Sequence, residues 1–331
     1  MSIRISVALP SYNGAAFIEE QLESISKQER LPDELIVCDD GSSDHTVELI
    51  RRFAARAPFS VRIEENPVRL GVTKNFEKVI SHCGGDLIFL SDQDDVWFPA
   101  KIRTMQSLLE ANAAVQIAVN DAVLVEHDLS LRAPSLLSNT TRAKGLEEEF
   151  YPGCCTVVRK TFRDLCLPFP VRSDGSLPFG YDGWLNFVGS LLSVKQVVRS
   201  PLQYYRRHGG NFSNSLAFGS RVSSLVRLRS ERDLLRKYRR DGCGHMESLV
   251  ERLTLIELVL DRLEQLRRRG EAEVIVSKIG LVQRRKADLE RRIAICRFPK
   301  GKRLAAATSF LCAGGYRSSR GVKSFIVDVL K

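Results

Sequence analysis

Short apolar runs alternate with amphipathic segments along the N-terminal part of the chain. The apolar runs predict buried strands at residues 3–9, 34–38, 61–64, 86–91, 115–120, 123–125, 154–159 and 193–199. Between them, apolar positions spaced three and four apart predict helices at residues 15–28, 44–57, 72–82, 99–112, 160–166 and 182–192. Residues 130–152 have little periodicity, which is typical of a loop. Strands and helices that alternate with short links predict the α/β class, with a doubly wound, mostly parallel sheet.

The C-terminal part has a different pattern. From Arg221 the chain is helical and basic, and apolar residues recur in 4-3 spacing before and after a break at Gly270. This pattern predicts a helical hairpin with a coiled-coil-like interface. We therefore divide the chain into residues 1–215 and a helical region, residues 216–331. The predicted seam consists of Leu249, Leu253, Ile256, Leu260 and Leu263, followed by Ile275, Ile279, Val282, Lys286, Leu289, Ile293 and Cys296.

Charge separates the same two parts. Residues 1–198 hold 20 Lys/Arg and 27 Asp/Glu, whereas residues 199–331 hold 30 and 13, within a net charge of +10. The basic part is a solvated helical surface, a surface for anionic membrane, or a nucleic-acid site. Its charges alternate with heptad apolar residues rather than aromatic ones, so we expect peripheral membrane contact and no nucleic acid. The hairpin could also pair with a second chain as a homo-oligomer.

The composition excludes several classes of protein. Nothing approaches the roughly 18 consecutive apolar residues of a membrane-spanning helix. The first residues enter a strand without the features of a signal peptide, so we expect a cytoplasmic protein, with peripheral contact at the inner face of the cell membrane. Eight cysteines without a Cys-x-x-Cys pair indicate buried thiols rather than disulfides or a zinc site.

The acidic segment Asp92-Gln93-Asp94-Asp95 carries the most chemical information. It directly follows the predicted strand at residues 86–91, and open α/β sheets bind ligands at the carboxyl ends of their strands. Negative charges crowded there favour a bound cation, such as a divalent ion on a nucleotide diphosphate. The alternative is a solvated turn that caps the helix beginning near Pro99.

Polar segments follow the first two strands as well. Pro10, Tyr12 and Asn13 leave the first strand, and Asp40 and Gly41 leave the second. The first segment suits a flat wall for a base, or is a plain turn. In the second, an Asp can accept a hydrogen bond from a pyrimidine imide, while the neighbouring Ser and Asp residues cap the next helix. Neither segment has the glycine-rich loop of a dinucleotide-binding strand or of a nucleotidyltransferase.

Four segments in order carry a family resemblance: residues 9–13 (LPSYN), residues 39–44 (DDGSSD), Asn66 with Gly71 and Lys74-Asn75, and residues 92–95 (DQDD). They resemble the motifs of the inverting family 2 glycosyltransferases of the GT-A fold. Residues 91–97 (SDQDDVW) are most similar to the bacterial rhamnosyltransferase-like branch. The resemblance covers residues 3 to about 215.

The resemblance implies roles for individual residues. Asp40 would bind a uracil or thymine imide, Asp92 would reach the ribose side, and Asp94 would ligate Mg²⁺ or Mn²⁺. The remaining residues of the nucleotide-sugar site would be Pro10, Tyr12, Asn13, Asn66, Gly71, Lys74 and Gln93.

Two later segments complete the predicted site. Asp182 matches the family's catalytic base in position, although Tyr181 stands where the family often has an acid or His; the alternative is a helix cap. Residues 204–211 (YYRRHGGN) resemble a segment of the same branch. There His208 would ligate the metal or contact the diphosphate, and Arg206 or Arg207 would neutralise phosphate.

These observations predict a metal-dependent inverting glycosyltransferase. Its donor would be dTDP-rhamnose or a UDP-sugar, and its acceptor a cell-surface polysaccharide or a lipid-linked glycan precursor. The alternatives are a sugar-nucleotide pyrophosphorylase and a catalytically silent scaffold of a glycan-assembly complex.

Overall fold

The computed structural model describes residues 3–139, 151–172, 178, 180–211, 242–319 and 321–330. They belong to two compact units: the N-terminal unit, described between residues 3 and 211, and the C-terminal unit, described between residues 242 and 330. The predicted boundary at residues 215 and 216, the start of the basic region at Arg221, and residues 140–150 of the predicted loop lie outside the described residues.

The N-terminal unit is built on one sheet. Its strands are β1 (Ile5–Ser11), β2 (Glu34–Asp39), β3 (Ser60–Glu65), β4 (Leu87–Leu90), β5 (Val96–Trp97), β6 (Ile117–Val125), β7 (Leu131–Ala133), β8 (Thr156–Arg159) and β9 (Lys195–Arg206). Their order is β3-β2-β1-β4-β8-β6-β9-β5, with β7 beside β6. The pairs β3-β2, β2-β1, β1-β4 and β6-β9 are parallel, whereas β8 is antiparallel to both of its neighbours. This confirms the predicted α/β class and mostly parallel sheet.

Helices cover this sheet as the spacing of apolar residues predicts. They are α1 (Ile18–Ser26), α2 (Thr46–Ala54), α3 (Val72–His82), α4 (Lys101–Ala111), α5 (Lys160–Cys166) and α6 (Tyr181–Leu192). Alternate residues of β1 and β2 share one buried apolar cluster with α1, α2 and α4. Outside this cluster, α3 and α6 meet where Phe76 stacks on Tyr181, with 3.6 Å between ring centroids.

The last strand differs from its prediction. We predicted residues 193–199, but Ser193 has a left-handed conformation that ends α6, and β9 continues to Arg206. The strand passes Pro201 because its pairing with β6 shifts register there, next to Asp121. Proline, which lacks an N–H, is tolerated at such irregularities. β9 therefore carries Tyr204–Arg206 into the sheet and brings the residues after it to the acidic segment.

The C-terminal unit contains the predicted hairpin. Helix α7 (Gly242–Arg269) and helix α9 (Ile279–Arg297) pack together, with the short α8 (Glu273–Val276) after the turn at Gly270. Most seam residues are buried within the chain, and Lys286, which interrupts the seam, lies 2.9 Å from Glu257. The seam is thus used within one chain. Sequence periodicity did not predict the helices α10 (Lys300–Cys312) and α11 (Val322–Leu330), which pack on each other and on α9. Among the described residues, no helix has the length and hydropathy needed to cross a membrane.

Candidate active site

The ends of β1 and β2 are joined by hydrogen bonds from short polar side chains. Asp39 accepts from the Ser11 hydroxyl at 2.7 Å and from the main-chain N–H of Ser42 at 2.7 Å. Asn13, which has a positive φ of 46°, accepts from the N–H of Ser43 at 2.8 Å. Asp39 and Asn13 therefore shape the two strand ends, and Asn13 is exposed beside them.

Asp40 is buried and holds the segment that follows β3. We call residues 66–71 the strap. Asp40 Oδ1 accepts from Asn66 Nδ2 at 2.9 Å and from the Leu70 N–H at 2.7 Å, and Oδ2 accepts from the Gly71 N–H at 2.8 Å. A carboxylate has about four lone-pair positions, so about one remains for another donor. Gly71 has a φ of 79°, a conformation that L side chains rarely adopt, which suits glycine at this turn.

The two predicted residues at the start of α3 have different roles. Asn75 is buried and accepts from Asn66 while it donates to the Cys38 carbonyl at 2.8 Å. Lys74 points its ammonium to Glu77, 2.8 Å away, so its charge is already paired. Asn66 is therefore fixed from several directions, whereas Lys74 is tied to its own helix.

Gln93 joins the acidic segment to the end of β1. Its amide accepts from the Tyr12 N–H at 2.9 Å and donates to the Tyr12 carbonyl at 3.0 Å. A Cβ at position 14 would lie 2.3 Å from Gln93, so the contact requires Gly14. Pro10 is buried within β1, and the Arg69 guanidinium lies 3.9 Å from the centroid of the Tyr12 ring. Gln93 thus positions Tyr12, whose ring faces a cation from the strap.

Two of the three acids of the segment, Asp92 and Asp95, lie close to each other. Carboxylate oxygens of Asp92 and Asp95 and the Cys154 sulfur lie within 4.8 Å of one another. Burial, together with the charges of Asp95 and Asp94, raises the pKa of Asp92 well above its ordinary value. Burial and the charge of Asp94 likewise raise the pKa of Asp95. A cation bound next to these acids would offset their repulsion.

Asp94 contacts two residues of the segment that follows β9. Its Oδ2 lies 2.8 Å from His208 Nε2 and accepts from Asn211 Nδ2 at 3.1 Å. His208 Nδ1 accepts from the Gly210 N–H at 3.1 Å. Neutral imidazole has one donor and one acceptor nitrogen, so this contact assigns the ring proton to Nε2, which donates to Asp94. The sequence predicted Asp94 and His208 as ligands of one metal and indicated no role for Asn211.

Arg206 was a candidate for phosphate neutralisation, but the structure gives it another task. Its guanidinium is buried and donates to the carbonyls of Asp94 and His127, at 2.9 and 2.7 Å, and to the Glu20 carboxylate. It also lies 4.9 Å from the Phe17 ring centroid. With three of its five N–H donors engaged in this way, Arg206 ties β9 to the acidic segment and to α1.

Asp182 stands in the first turn of α6. Its Oδ1 accepts from the Gly183 N–H at 2.8 Å, but Gly180 occupies the N-cap position, so Asp182 does not cap the helix. Its charge also contributes to the raised pKa of Asp92, so the two carboxylates belong to one electrostatic site. Trp184, which follows it, is buried and donates to the Cys166 carbonyl, so it offers no exposed ring to a ligand.

The structure therefore brings the predicted residues together at one edge of the sheet, the carboxyl ends of β1, β2 and β4. It adds two buried polar residues that the sequence patterns did not indicate: Gln203 donates to Asp95 of the acidic segment, and Lys101 donates to Gln203. Nothing in the local sequence marks them, since one opens an amphipathic helix and the other lies in a strand of mixed polar and apolar residues.

The sequence is similar to known glycosyltransferases. Residues 6–165 match the model of the family described as "Glycosyl transferase family 2". The dTDP-rhamnosyl transferase RfbG of Shigella flexneri is 29% identical over 240 residues, which cover 67% of this chain and 80% of RfbG. The putative glycosyltransferase EpsE of Bacillus subtilis (strain 168) is 29% identical over 134 residues, 40% of this chain; the aligned part spans 48% of EpsE.

Solved structures show the same fold. The crystal structure of S. aureus TarS 1-349 in complex with UDP-GlcNAc superimposes with a TM-score of 0.50 and 15% sequence identity, over 88% of this chain and 90% of TarS 1-349. At this identity the likeness concerns the fold alone, and it confirms the predicted GT-A architecture. Residues 6–165, which include the four ordered motifs, match glycosyl transferase family 2, as those motifs predicted.

Proposed function

We propose that this chain is an inverting, metal-dependent glycosyltransferase that moves a sugar from a nucleoside diphosphate onto a hydroxyl of a cell-surface polysaccharide or its lipid-linked precursor. One observation carries the proposal: Asp40, the acidic segment and Asp182 share one edge of the sheet, with His208 against Asp94. The similarity to RfbG favours dTDP-rhamnose as the donor, and a UDP-sugar is the second candidate. Release of pyrophosphate from a nucleoside triphosphate would indicate a pyrophosphorylase instead.

The strap and the end of β1 would receive the base. Asp40 has about one acceptor position left after its three hydrogen bonds, enough for the single imide N–H of uracil or thymine. Tyr12, held through its main chain by Gln93, offers a ring on which a flat base can stack. Asp92, next to Gln93, would meet the ribose side.

Asp94 and His208 would hold Mg²⁺ or Mn²⁺. Their nearest ligand atoms are 2.8 Å apart, and neighbouring ligands of an octahedral ion at about 2.1 Å are separated by about 3.0 Å, so the pair fits. When bound, the ion would neutralise charge on the departing diphosphate. For His208 Nε2 to be a ligand, the ring proton must reside on Nδ1, so the Gly210 N–H that now donates to Nδ1 must turn away.

Asp182 would act as the base. Its carboxylate would take the proton of the acceptor hydroxyl while that oxygen bonds to the anomeric carbon and the sugar–phosphate bond breaks on the opposite face. The helix N-terminus and the Gly183 N–H hold the carboxylate in place. A positioned base contributes about 10²- to 10⁴-fold to the rate.

The decisive experiment separates donor binding from transfer. Wild-type protein with Mn²⁺ should be stabilised in a thermal-shift panel by a dTDP- or UDP-sugar and should hydrolyse or transfer that sugar. Asp182→Asn should keep this stabilisation and lose about 10²- to 10⁴-fold in transfer. Asp128→Asn, on an exposed turn, is the matched control and should behave as wild type. Wild-type transfer by Asp182→Asn would remove Asp182 as the base, and a protein that neither binds nor hydrolyses any such donor would contradict the function.

We further propose that the C-terminal unit contacts anionic membrane, where a lipid-linked acceptor would be found. Its charge is strongly positive, and each Lys or Arg near such a surface contributes about 1 kcal/mol. Large apolar side chains are exposed in the same unit, at Phe298, Leu304, Val322 and Ile326. The protein should sediment with vesicles that contain phosphatidylserine and less with neutral vesicles or in high salt. Leu304→Asp should weaken binding, and equal binding to both vesicle types would contradict the proposal.

A further inference from the structure

A buried chain of polar side chains lies behind the acidic segment. Asp95, which is 1% exposed, accepts two hydrogen bonds from β9: one from Gln203 Nε2 at 2.7 Å and one from the Arg206 N–H at 3.1 Å. Because both partners belong to the strand, Asp95 fixes the acidic segment relative to the end of β9.

Gln203 is held in turn by a buried lysine. Lys101 Nζ donates to Gln203 Oε1 and, at 2.8 Å, to the Cys154 carbonyl, and it lies 4.0 Å from the Trp97 ring centroid. Lysine only donates and a carboxylate only accepts, whereas an amide does both. Glutamine at 203 is therefore the side chain that can bridge Lys101 to Asp95, and these two contacts determine which way its amide points.

The end of the same strand and the residues just after it contact Asp94. Three residues beyond Gln203, the Arg206 guanidinium donates to the Asp94 carbonyl. Just after the strand, His208 and Asn211 reach Asp94 Oδ2. A shift of β9 against the acidic segment would therefore separate His208 from Asp94, and the hydrogen bonds of Asp95 oppose that shift.

We propose that Lys101, Gln203 and Asp95 are positioning residues that keep His208 against Asp94 and so preorganise the divalent-cation site. None of the three has to touch the donor. The inference rests on the proposed function only in assigning a metal to Asp94 and His208. A buried lysine and carboxylate linked by one amide are sensitive to that amide, because its loss leaves both charged groups with fewer partners.

The test replaces the bridging amide. Gln203→Leu removes both hydrogen bonds at similar volume, and Gln203→Glu keeps an acceptor for Lys101 but places a second carboxylate against Asp95. Gln106→Leu, which removes an exposed amide that bonds Glu110 on α4, is the matched control. Mn²⁺ affinity is measured by electron paramagnetic resonance of free Mn²⁺, with and without UDP, and folding by thermal unfolding.

Both Gln203 variants should bind Mn²⁺ about 10- to 100-fold more weakly than wild type, the range found when residues that orient metal ligands are lost. High Mn²⁺ should restore kcat in donor hydrolysis, and Gln106→Leu should match wild type. A purely structural role would lower the unfolding temperature without changing Mn²⁺ affinity in the folded protein. Unchanged Mn²⁺ affinity in a folded Gln203→Leu or Gln203→Glu protein would overturn the inference.

A readout independent of the metal keeps the two proposals distinct. Crystal structures of wild type and a Gln203 variant without metal should show the His208 Nε2–Asp94 Oδ2 contact in the first and its loss in the second. If wild type binds no Mn²⁺, the metal in the proposed function fails, and this comparison still decides the positioning role. A retained contact in the variant overturns it.

Discussion

The C-terminal unit contains a buried ion cluster whose disruption should have a large and local effect. Asp328 on α11 is fully buried and accepts from Arg292 Nε and Nη2, at 2.8 and 3.0 Å, with His245 Nε2 2.9 Å away. Arg292 is itself buried in α9. Asp328→Asn keeps the shape of the side chain, removes its charge and leaves the Arg292 guanidinium buried without a counter-ion.

The expected loss of unfolding free energy in Asp328→Asn follows from the burial of this ion pair. Removing one partner of a buried ion pair costs about 3–5 kcal/mol, and since an amide can still accept one hydrogen bond, we expect about 3 kcal/mol. The matched control is Glu257→Gln, which breaks the pair with Lys286; those side chains are 49% and 30% exposed, so the loss of unfolding free energy should be far smaller than for Asp328→Asn. Arg292→Met combined with Asp328→Leu should recover much of the difference, because the pair is then replaced as a whole.

Native-state hydrogen exchange measures this free energy where it acts, in the amides of α9, without requiring the whole chain to unfold in one step. Burial by itself raises the pKa of Asp328, but hydrogen bonds from His245 and Arg292 outweigh it and hold the pKa below its ordinary value. The stabilisation that the ionised Asp328 carboxylate contributes should therefore be present above about pH 4. It should be lost as the pH falls through the pKa of Asp328 in the folded protein. The reasoning is refuted if Asp328→Asn changes exchange in α9 no more than Glu257→Gln does.

Three further perturbations have outcomes that the contacts determine. Arg69→Ala frees the Tyr12 ring from an exposed cation, so UDP should bind about 2- to 5-fold more tightly by calorimetry; weaker binding would show that Arg69 itself holds the nucleotide. Arg163→Met removes a buried guanidinium from two carbonyls at the end of α3 and should lower the free energy of unfolding in urea by about 2 kcal/mol, with an unchanged value counting against this role. A thiol reagent should modify the exposed Cys312 before Cys38, whose pKa burial raises to about 11; mass mapping that finds Cys38 first would contradict this order.

Local patterns predicted the parts of this molecule that local physics determines. Strands β1, β2 and β4 are apolar because both faces of a parallel sheet are covered, and the acids after them follow from the same strand ends. The hairpin follows from its 4-3 spacing. By contrast, β9 runs past Pro201 only because β6 lies beside it with a shifted register, which is a property of strand order.

Local sequence patterns could not predict the hydrogen-bond partners of these side chains, for the same reason. Asp95 is 108 residues from Gln203, and Arg206 is 186 residues from Glu20. The sequence patterns therefore left Asp95 without a partner and offered Arg206 or Arg207 to a phosphate, although the fold uses Asp95 and Arg206 to attach β9. Hydrogen bonds between such distant residues become visible only once the neighbours of each strand are known.

The arrangement of the acidic segment explains why the sequence predicts the reaction better than the substrate. Three neighbouring carboxylates repel one another, and the fold gives two of them different partners: His208 for Asp94 and Gln203 for Asp95, while Asp92 and Asp95 both lie near the Cys154 sulfur. The match to family 2 ends at residue 165, so it includes the acids but neither His208 nor Gln203. In the proposed assignment, the residues that recognise the nucleotide lie mainly within the matched part, whereas the base and the residues that complete the metal site come after it. Differences in sugar and acceptor between related enzymes should therefore be sought in α6 and β9 rather than in the four motifs.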